Sequence, residues 1–233
     1  MSTASRSGYR RLFPLLFMVI AFYSQAGGIM LDSTRIIYAQ DAKQRNISIR
    51  NTSTDTTFLV QAWIEDAAGR RSSDFIATPP LFTSGPGNEN ILRLMFTGQQ
   101  LPRDRETLYY FNVKGVPSVN KKALEGHNAL IIAAVTRIKL FVRPAGLTPS
   151  PQVAAQQLQF RRNGNNSVII ENASPYFITL TNFKAGNAAL DSVMVPSRGQ
   201  ITVALPRDAG NNLTFSTIDD FGAVSPPRPA RFN

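Results

Sequence analysis

The feature that most constrains the fold is an apolar run at residues 130–144, LIIAAVTRIKLFVRP. Successive side chains of a β-strand point to opposite faces of its sheet. From Arg137 onward the run alternates, with Ile138, Leu140 and Val142 on one face and mainly charged residues on the other. At its start, however, both faces are apolar. The run therefore predicts one long strand with apolar side chains to be covered on both of its faces.

Two explanations of this doubly apolar start are open. The strand can lie at the centre of a sheet between two packed layers, as is common in β-sandwiches. Alternatively, it can lie near a sheet edge, where the row Leu130, Ile132 and Ala134 would be covered by a partner chain. Periodicity alone does not decide between the two.

The rest of the chain repeats a rhythm of short strands and turns. Strand-like segments occur at 34–38, 46–51, 58–65, 75–82, 90–96 and 108–113 before the run, and at 167–171, 177–184, 192–195, 200–205 and 213–218 after it. In the third of these, Trp63 is most simply a core residue. The segment 145–151 is rich in Pro and Gly and is typical of a linker. We therefore predict an all-β protein with two sandwich domains, at 27–144 and 152–233, the second opening with a short helical turn.

The N-terminus has the three parts of a secretory signal peptide. Residues 1–11 are polar and contain three arginines, residues 12–23 are apolar, and SQA at 24–26 places small residues before a cleavage site. The apolar run is short for a bilayer span, so we expect no membrane insertion, although a membrane anchor is the alternative. Cleavage after Ala26 would leave a formal charge of 10 − 3 = +7 and an exported protein, which we place in the periplasm.

The composition leaves little room for catalysis. The chain has no cysteine, and His127 is its only histidine, so neither a metal site nor a Ser/His/Asp arrangement is expected. No Gly-rich phosphate loop joins a strand to a helix. We expect no enzyme activity, metal or cofactor. The basic residues are scattered rather than clustered with aromatic residues, so nucleic acid is not an expected partner either. Asn-x-Ser/Thr matches begin at Asn46, Asn51, Asn165, Asn172 and Asn212, but they are a weak signal.

Arg35 and Lys139 are two cations on separate predicted strands. If the first and last strands of the first domain converge near the domain boundary, the two side chains could hold one carboxylate. The alternative is that each is a solvated cation on a strand surface.

Several motifs follow one another in a distinctive order. They are TRIIY at 34–38, TPPLF at 78–82, DRE at 104–106, RIKLFVRP at 137–144, NASPY at 172–176 and DDFG at 219–222. In this order, and over essentially the whole mature chain, they resemble the periplasmic pilus-assembly chaperones of the chaperone–usher system.

The resemblance implies two immunoglobulin-like sandwiches in a boomerang arrangement with a cleft between them. In that family a pilus subunit is an incomplete sandwich, and the chaperone lends it an edge strand, a mode of recognition known as donor-strand complementation. By position, the resemblance implies that Leu130, Ile132 and Ala134 fill the groove of the subunit. It implies that Arg35 and Lys139 anchor the subunit's terminal carboxylate. The interdomain charge network would consist of Glu106, Arg143 and Asp220.

The chain departs from the family pattern at one position, because Ala134 is small where a larger apolar residue is usual. The loop at 114–128 is of short to intermediate length, and without cysteine it cannot carry the disulfide of the long-loop subgroup. The resemblance therefore favours the short-loop subgroup, whose members usually build rod-like pili.

Two functions compete at this stage. The first is a periplasmic chaperone that stabilises pilus subunits and delivers them to an outer-membrane usher, with a self-capped dimer as an option when no client is bound. The second is a secreted structural or adhesive β-sandwich protein. The first expects the apolar row to lie open at a sheet edge in the unbound protein, and the second expects it to be buried.

Overall fold

A computed structural model describes residues 27–119, 130–164, 166–206 and 212–232 of the chain. The predicted signal peptide, most of the loop at 114–128 and its His127 lie outside the described residues. Across the described ranges the protein is built almost wholly of strands, arranged in four sheets. No helix in this part of the chain is long and apolar enough to cross a membrane. The prediction of an all-β protein with two sandwich domains is confirmed.

The first domain packs two sheets face to face. Its strands are β1 (Ile29–Leu31), β2 (Arg35–Ala39), β3 (Arg45–Asn51), β4 (Phe58–Asp66), β5 (Phe75–Thr78), β6 (Leu81–Ser84), β7 (Glu89–Phe96), β8 (Thr107–Pro117) and β9 (Ala134–Arg143). One sheet has the order β1-β3-β7-β5, and the other has the order β2-β9-β8-β4-β6. The strand-like segments predicted before residue 144 therefore all contain strands, and the segment at 75–82 is divided into two.

The core of the first domain follows the alternation of its strands. On β4, Val60, Ala62 and Ile64 are buried between the sheets, as the period of two predicts. Trp63 lies on the opposite, outward face, where its ring is only partly buried, its Nε1 donates to Glu65 Oε1 at 2.8 Å and the Arg71 guanidinium lies 5.3 Å from the ring centre. The prediction that Trp63 is a core residue is wrong, because both faces of β4 carry large side chains and only the packing of the second sheet decides which face is inside.

The N-terminal part of the chain changes sheets within a few residues. Strand β1 pairs with β3 in the first sheet, whereas β2 pairs in parallel with β9 in the second sheet. The β2–β9 register runs from Arg35 opposite Lys139 to Ala39 opposite Arg143. Strand β2 therefore covers only the C-terminal half of β9, and this arrangement positions the site described below.

The second domain is a smaller sandwich. Its strands are β10 (Gln159–Arg162), β11 (Ser167–Asn172), β12 (Ile178–Ala185), β13 (Ala188–Ala189), β14 (Val193–Val195), β15 (Gly199–Ala204), β16 (Leu213–Thr217) and β17 (Arg228–Pro229). One sheet has the order β10-β11-β15, and the other has β13-β12-β16-β17 with β14 also on β12. The helix α1 (Pro151–Ala154) precedes them, beginning at a residue that the predicted linker included. Strands β10, β13 and β17 were not predicted, since two of them have only two residues.

Each domain contains a chain turn that is held by a buried asparagine. Asn51 and Asn172 each end a strand, and each Oδ1 accepts the backbone N–H of a serine two residues later at 3.0 Å. Asn51 Nδ2 donates to three backbone carbonyls and Asn172 Nδ2 to two, at distances between 2.7 and 3.0 Å. These two Asn-x-Ser matches thus satisfy buried carbonyl groups at a chain turn, which explains why asparagine occurs there.

Candidate functional site

Strand β9 begins four residues later than predicted. Its pairing with β8 ends at Ala134 opposite Gly115, and residues 130–133 have no regular structure. Residues 116 and 117 of β8 pair with β4 on one side and with no described segment on the other. The prediction of a strand from residue 130 is wrong for the unbound chain, because the backbone of residues 130–133 pairs neither with β8 nor with any other described strand.

The first part of β9 is also unpaired on its other side. Strand β2 starts opposite Lys139, so β9 from Ala134 to Ile138 pairs with β8 alone among the described residues. This stretch is a free sheet edge with unused backbone donors and acceptors, which is a template for pairing with another chain.

The apolar row that leads into this edge is open. Leu130 is 87% exposed and Ile132 is 72% exposed, and Ala134 is exposed as well. Large, solvent-exposed aliphatic residues so close together are unusual on a soluble protein and indicate an interaction surface. Internal burial of both faces, the arrangement expected for a structural β-sandwich, does not occur here.

Arg35 and Lys139 are brought together as neighbours on adjacent strands at the end of this edge. Arg35 is buried, and its Nη1 donates to the Ile218 carbonyl at 3.2 Å. The Lys139 ammonium donates to Thr179 Oγ1 at 2.9 Å. Both acceptors belong to the second domain, so the pair lies in the cleft between the domains.

This pair of cations has no carboxylate partner among the described residues. Burial lowers the pKa of Lys139, and the positive charge of Arg35 lowers it further. Burial also lowers the pKa of Arg35, although the carboxylates of Asp220, Asp219 and Glu106 partly oppose the effect. The Arg35 Nε is buried without a hydrogen-bond partner. Two partly desolvated cations side by side form a site that an anion would stabilise.

Glu106, Arg143 and Asp220 are in direct contact at the domain junction. Arg143 Nε donates to Glu106 Oε1 at 2.7 Å, and its Nη1 and Nη2 each donate to one oxygen of Asp220 at 2.6 Å. The other Glu106 oxygen accepts the N–H of Phe177 at 2.8 Å. Because Glu106 and Arg143 lie in the first domain and Asp220 and Phe177 in the second, these bonds join the two domains.

Burial strongly affects the pKa values of the charged groups in this network. Burial raises the pKa of Glu106, which is only 3% exposed, although Arg143 and the Phe177 N–H act in the opposite direction. Burial alone would lower the pKa of Arg143, but the hydrogen bonds to Asp220 and the charge of Glu106 outweigh it and raise that pKa. Arg143 is therefore a permanent cation that compensates two carboxylates.

A glycine turn holds Asp220 in position. Asp219 Oδ1 accepts the N–H groups of Phe221 and Ala223 at 2.9 and 2.8 Å, which closes the turn. Gly222 has a φ of 89°, and a Cβ added there would overlap Thr34 Oγ1. Only glycine fits this backbone conformation and this close approach. The DDFG motif at 219–222 is thus explained by local geometry.

Three partners in the site were not predicted from the sequence. The Ile218 carbonyl and the Phe177 N–H are backbone groups, which leave no trace in residue identity. Thr179 is a buried threonine on β12, and nothing in the local sequence distinguishes it from its neighbours. The described residues also contain no group of three or more His, Cys, Asp or Glu that could hold a metal ion.

The fold and the site define a two-domain β-sandwich protein with an exposed apolar row and a free sheet edge beside a pair of cleft cations. Two family models together match most of the chain: the N-terminal domain of the PapD pili and flagellar-assembly chaperones matches residues 28–148, and the PapD C-terminal domain matches residues 153–228. The chain belongs to this family of pilus-assembly chaperones.

Individual relatives agree with the family assignment. The probable fimbrial chaperone SfmC of Escherichia coli K12 is 44% identical over 94% of this chain and 97% of its own length. The periplasmic chaperone SfaE, which has a crystal structure, is 37% identical in sequence to this chain. The two structures have a TM-score of 0.74 over 88% of this chain and all of that chain. The SafB chaperone of Salmonella enterica, solved in complex with the SafA pilin, is 28% identical, with a TM-score of 0.76 over 86% of this chain and 94% of that chain. These relatives favour a fimbrial chaperone over a structural or adhesive protein.

Proposed function

We propose that this chaperone acts in the periplasm, binds fimbrial subunits by lending them strand β9, and delivers them to an outer-membrane usher. The proposed activity is stoichiometric binding and not catalysis. The observation that carries the proposal is the free edge of β9 next to the exposed apolar row Leu130, Ile132 and Ala134. A chaperone of this fold has been solved with a pilin, which supports a subunit as the partner.

The geometry supports one direction for the client strand. A client strand on the free edge of β9 would lie end to end with β2, which occupies the same edge from Lys139 onward. If the client's terminal carboxylate binds Arg35 and Lys139, its last residues must approach that point along β9 from residue 130. The client strand would then run parallel to β9. An antiparallel strand would place its C-terminus at the far end of the edge, away from both cations.

The three parts of the site would act together. Backbone pairing along β9 would satisfy polar groups of both chains, as in any sheet. Leu130 and Ile132 would complete the apolar core of the client, whereas Ala134 would fill less of the groove than a larger residue. The carboxylate anchor would fix the register, since a slip by one residue would turn every apolar side chain to the wrong face.

The network of Glu106, Arg143 and Asp220 would hold the second domain at a constant angle to the anchor. This role is supported by the fact that Lys139 and Arg35 both use acceptors of the second domain. Without a client, two copies of the chain could cover their exposed rows by pairing edge to edge, which gives a self-capped dimer.

Co-purification of a fimbrial subunit co-expressed in the periplasm tests the proposal. The unaltered chaperone should retain the subunit, and Arg35→Ala should lose it while remaining folded. Arg93→Ala is a matched control, because Arg93 is an exposed arginine on β7 in the other sheet. Retention of the subunit by Arg35→Ala, or by an Arg35→Ala and Lys139→Ala double variant, would contradict the anchoring role.

A further inference from the structure

A cavity of about 280 Å³ lies behind the cleft, between the domain junction and helix α1. Its walls include the aromatic and aliphatic side chains of Tyr176, Phe177, Ile178, Ile218 and Val224. Arg35 and Arg228 also line it. Cavities of this kind, largely apolar with a few fixed polar groups, are typical of small-molecule sites.

Arg228 is held rigidly in the wall of this cavity. Its Nη2 donates to the carbonyl of Ala155 and to Thr217 Oγ1, and its guanidinium lies 4.9 Å from the centre of the Phe215 ring. Its Nε is buried and has no hydrogen-bond partner. The guanidinium is therefore oriented by neutral groups, with donor capacity left unused.

No described carboxylate neutralises Arg228. Burial lowers its pKa, and the one charge that acts on it is the cation of Arg231, which lowers the pKa further. Arg228 is therefore a partly desolvated cation without an ion-pair partner among the described residues.

The acids in the cavity wall have other partners. Glu106 and Asp220 bind Arg143, and Asp219 accepts two backbone N–H groups of its own turn. None of these three carboxylates forms an ion pair with Arg228. A half-buried cation without a counterion costs free energy, which a bound anion would recover.

We propose that this cavity binds a small organic anion, with one carboxylate on the Arg228 guanidinium and a flat apolar body against the aromatic and aliphatic wall. This site borders the client anchor, because Arg35 lines the cavity as well, but it is centred on Arg228 and does not include Lys139. Its occupation does not require a client.

The test uses the purified mature chaperone and three probes: benzoate, its neutral analogue methyl benzoate, and acetate. Binding is measured from amide chemical shifts in NMR titrations. Benzoate should bind saturably and shift residues around Arg228 and Val224, whereas methyl benzoate and acetate should bind at least about tenfold more weakly, a loss of about 1.4 kcal/mol. Absence of saturable benzoate binding would overturn the proposal.

Variants locate the site. Arg228→Gln should weaken benzoate binding at least about tenfold. Arg231→Gln, which removes the same charge from an exposed neighbour outside the cavity wall, should weaken it much less. Because Arg228→Gln can also disturb the fold, Val224→Trp provides a second variant that fills the cavity from a half-exposed position. If Arg35→Ala abolishes binding while Arg228→Gln and Val224→Trp do not, benzoate occupies the client anchor and the inference is wrong.

Discussion

Removal of Arg143 should destabilise the protein strongly, and in a pH-dependent manner. In Arg143→Ala, Glu106 would lose its only cationic partner among the described residues, while its side chain remains almost fully inaccessible to water. Removing one partner of a buried ion pair costs about 3–5 kcal/mol, because an uncompensated charge is left behind. Asp220 should contribute less to this cost, since its side chain is 27% exposed and can be hydrated.

The pH dependence follows from the pKa of Glu106. Burial already raises this pKa in the folded protein, and Arg143 opposes the rise, so Arg143→Ala should raise it further. A carboxyl whose folded-state pKa exceeds its unfolded value of about 4.3 binds protons more tightly when folded. The variant should therefore regain stability as the pH falls through the folded-state pKa towards the unfolded value.

Urea unfolding at several pH values between 5 and 8 measures this effect. The deficit of Arg143→Ala should be largest at pH 8 and should shrink towards pH 5. A double variant, Glu106→Gln with Arg143→Met, removes both charges and should be more stable than Arg143→Ala at pH 8. A deficit below about 1 kcal/mol, the value typical of an exposed ion pair, or one that does not change with pH, would refute the reasoning.

Three further predictions concern the client site and the turn held by Asn51. Ile132→Ser should weaken client binding by about 1.5–3 kcal/mol, which is the free energy of burying an isoleucine. The stability of the free protein in urea should not change. Equal affinity of the two proteins in calorimetry would mean that the side chain does not enter the client. Because the pKa of Lys139 is lowered in the free protein, a client carboxylate should raise it, so binding should take up protons and weaken as the pH rises through the free-state value. Calorimetry in buffers of different ionisation enthalpy measures this uptake, which should vanish in Lys139→Arg. Asn51→Ala should lower the free energy of unfolding in urea by about 2–4 kcal/mol, because several buried carbonyls lose their donor. Asn51→Asp should lower it at least as much. A neutral result for Asn51→Ala would show that water replaces the amide.

The sequence predicted the elements of the fold better than their ends and faces. Alternation divided the side chains of β4 into two rows, and the structure buries the row of Val60, Ala62 and Ile64. It failed for Trp63, since a large apolar side chain is compatible with either face of a strand. It also placed the start of β9 too early, because the pattern at 130–133 describes what the residues can bury and not whether their backbone pairs with a neighbouring strand.

In the candidate site, the sequence identified the charged residues but not their hydrogen-bond partners. Arg35, Lys139, Glu106, Arg143 and Asp220 could be selected from ordered motifs that resemble a known family. Their hydrogen-bond partners could not be selected, since several are backbone groups of the second domain that come close only when both domains are folded.

The sequence by itself determined the all-β architecture, the two-domain division and the doubly apolar row, because these depend on the local alternation of residues and on turn-forming segments. Only the tertiary structure decided that this row lies at a free edge. The chain leaves one sheet after β1 and enters the other at Arg35, so β2 reaches no further along β9 than Lys139. Which strand edge stays unpaired depends on neighbours that are distant in the chain, and no local pattern of residues records where those neighbours end.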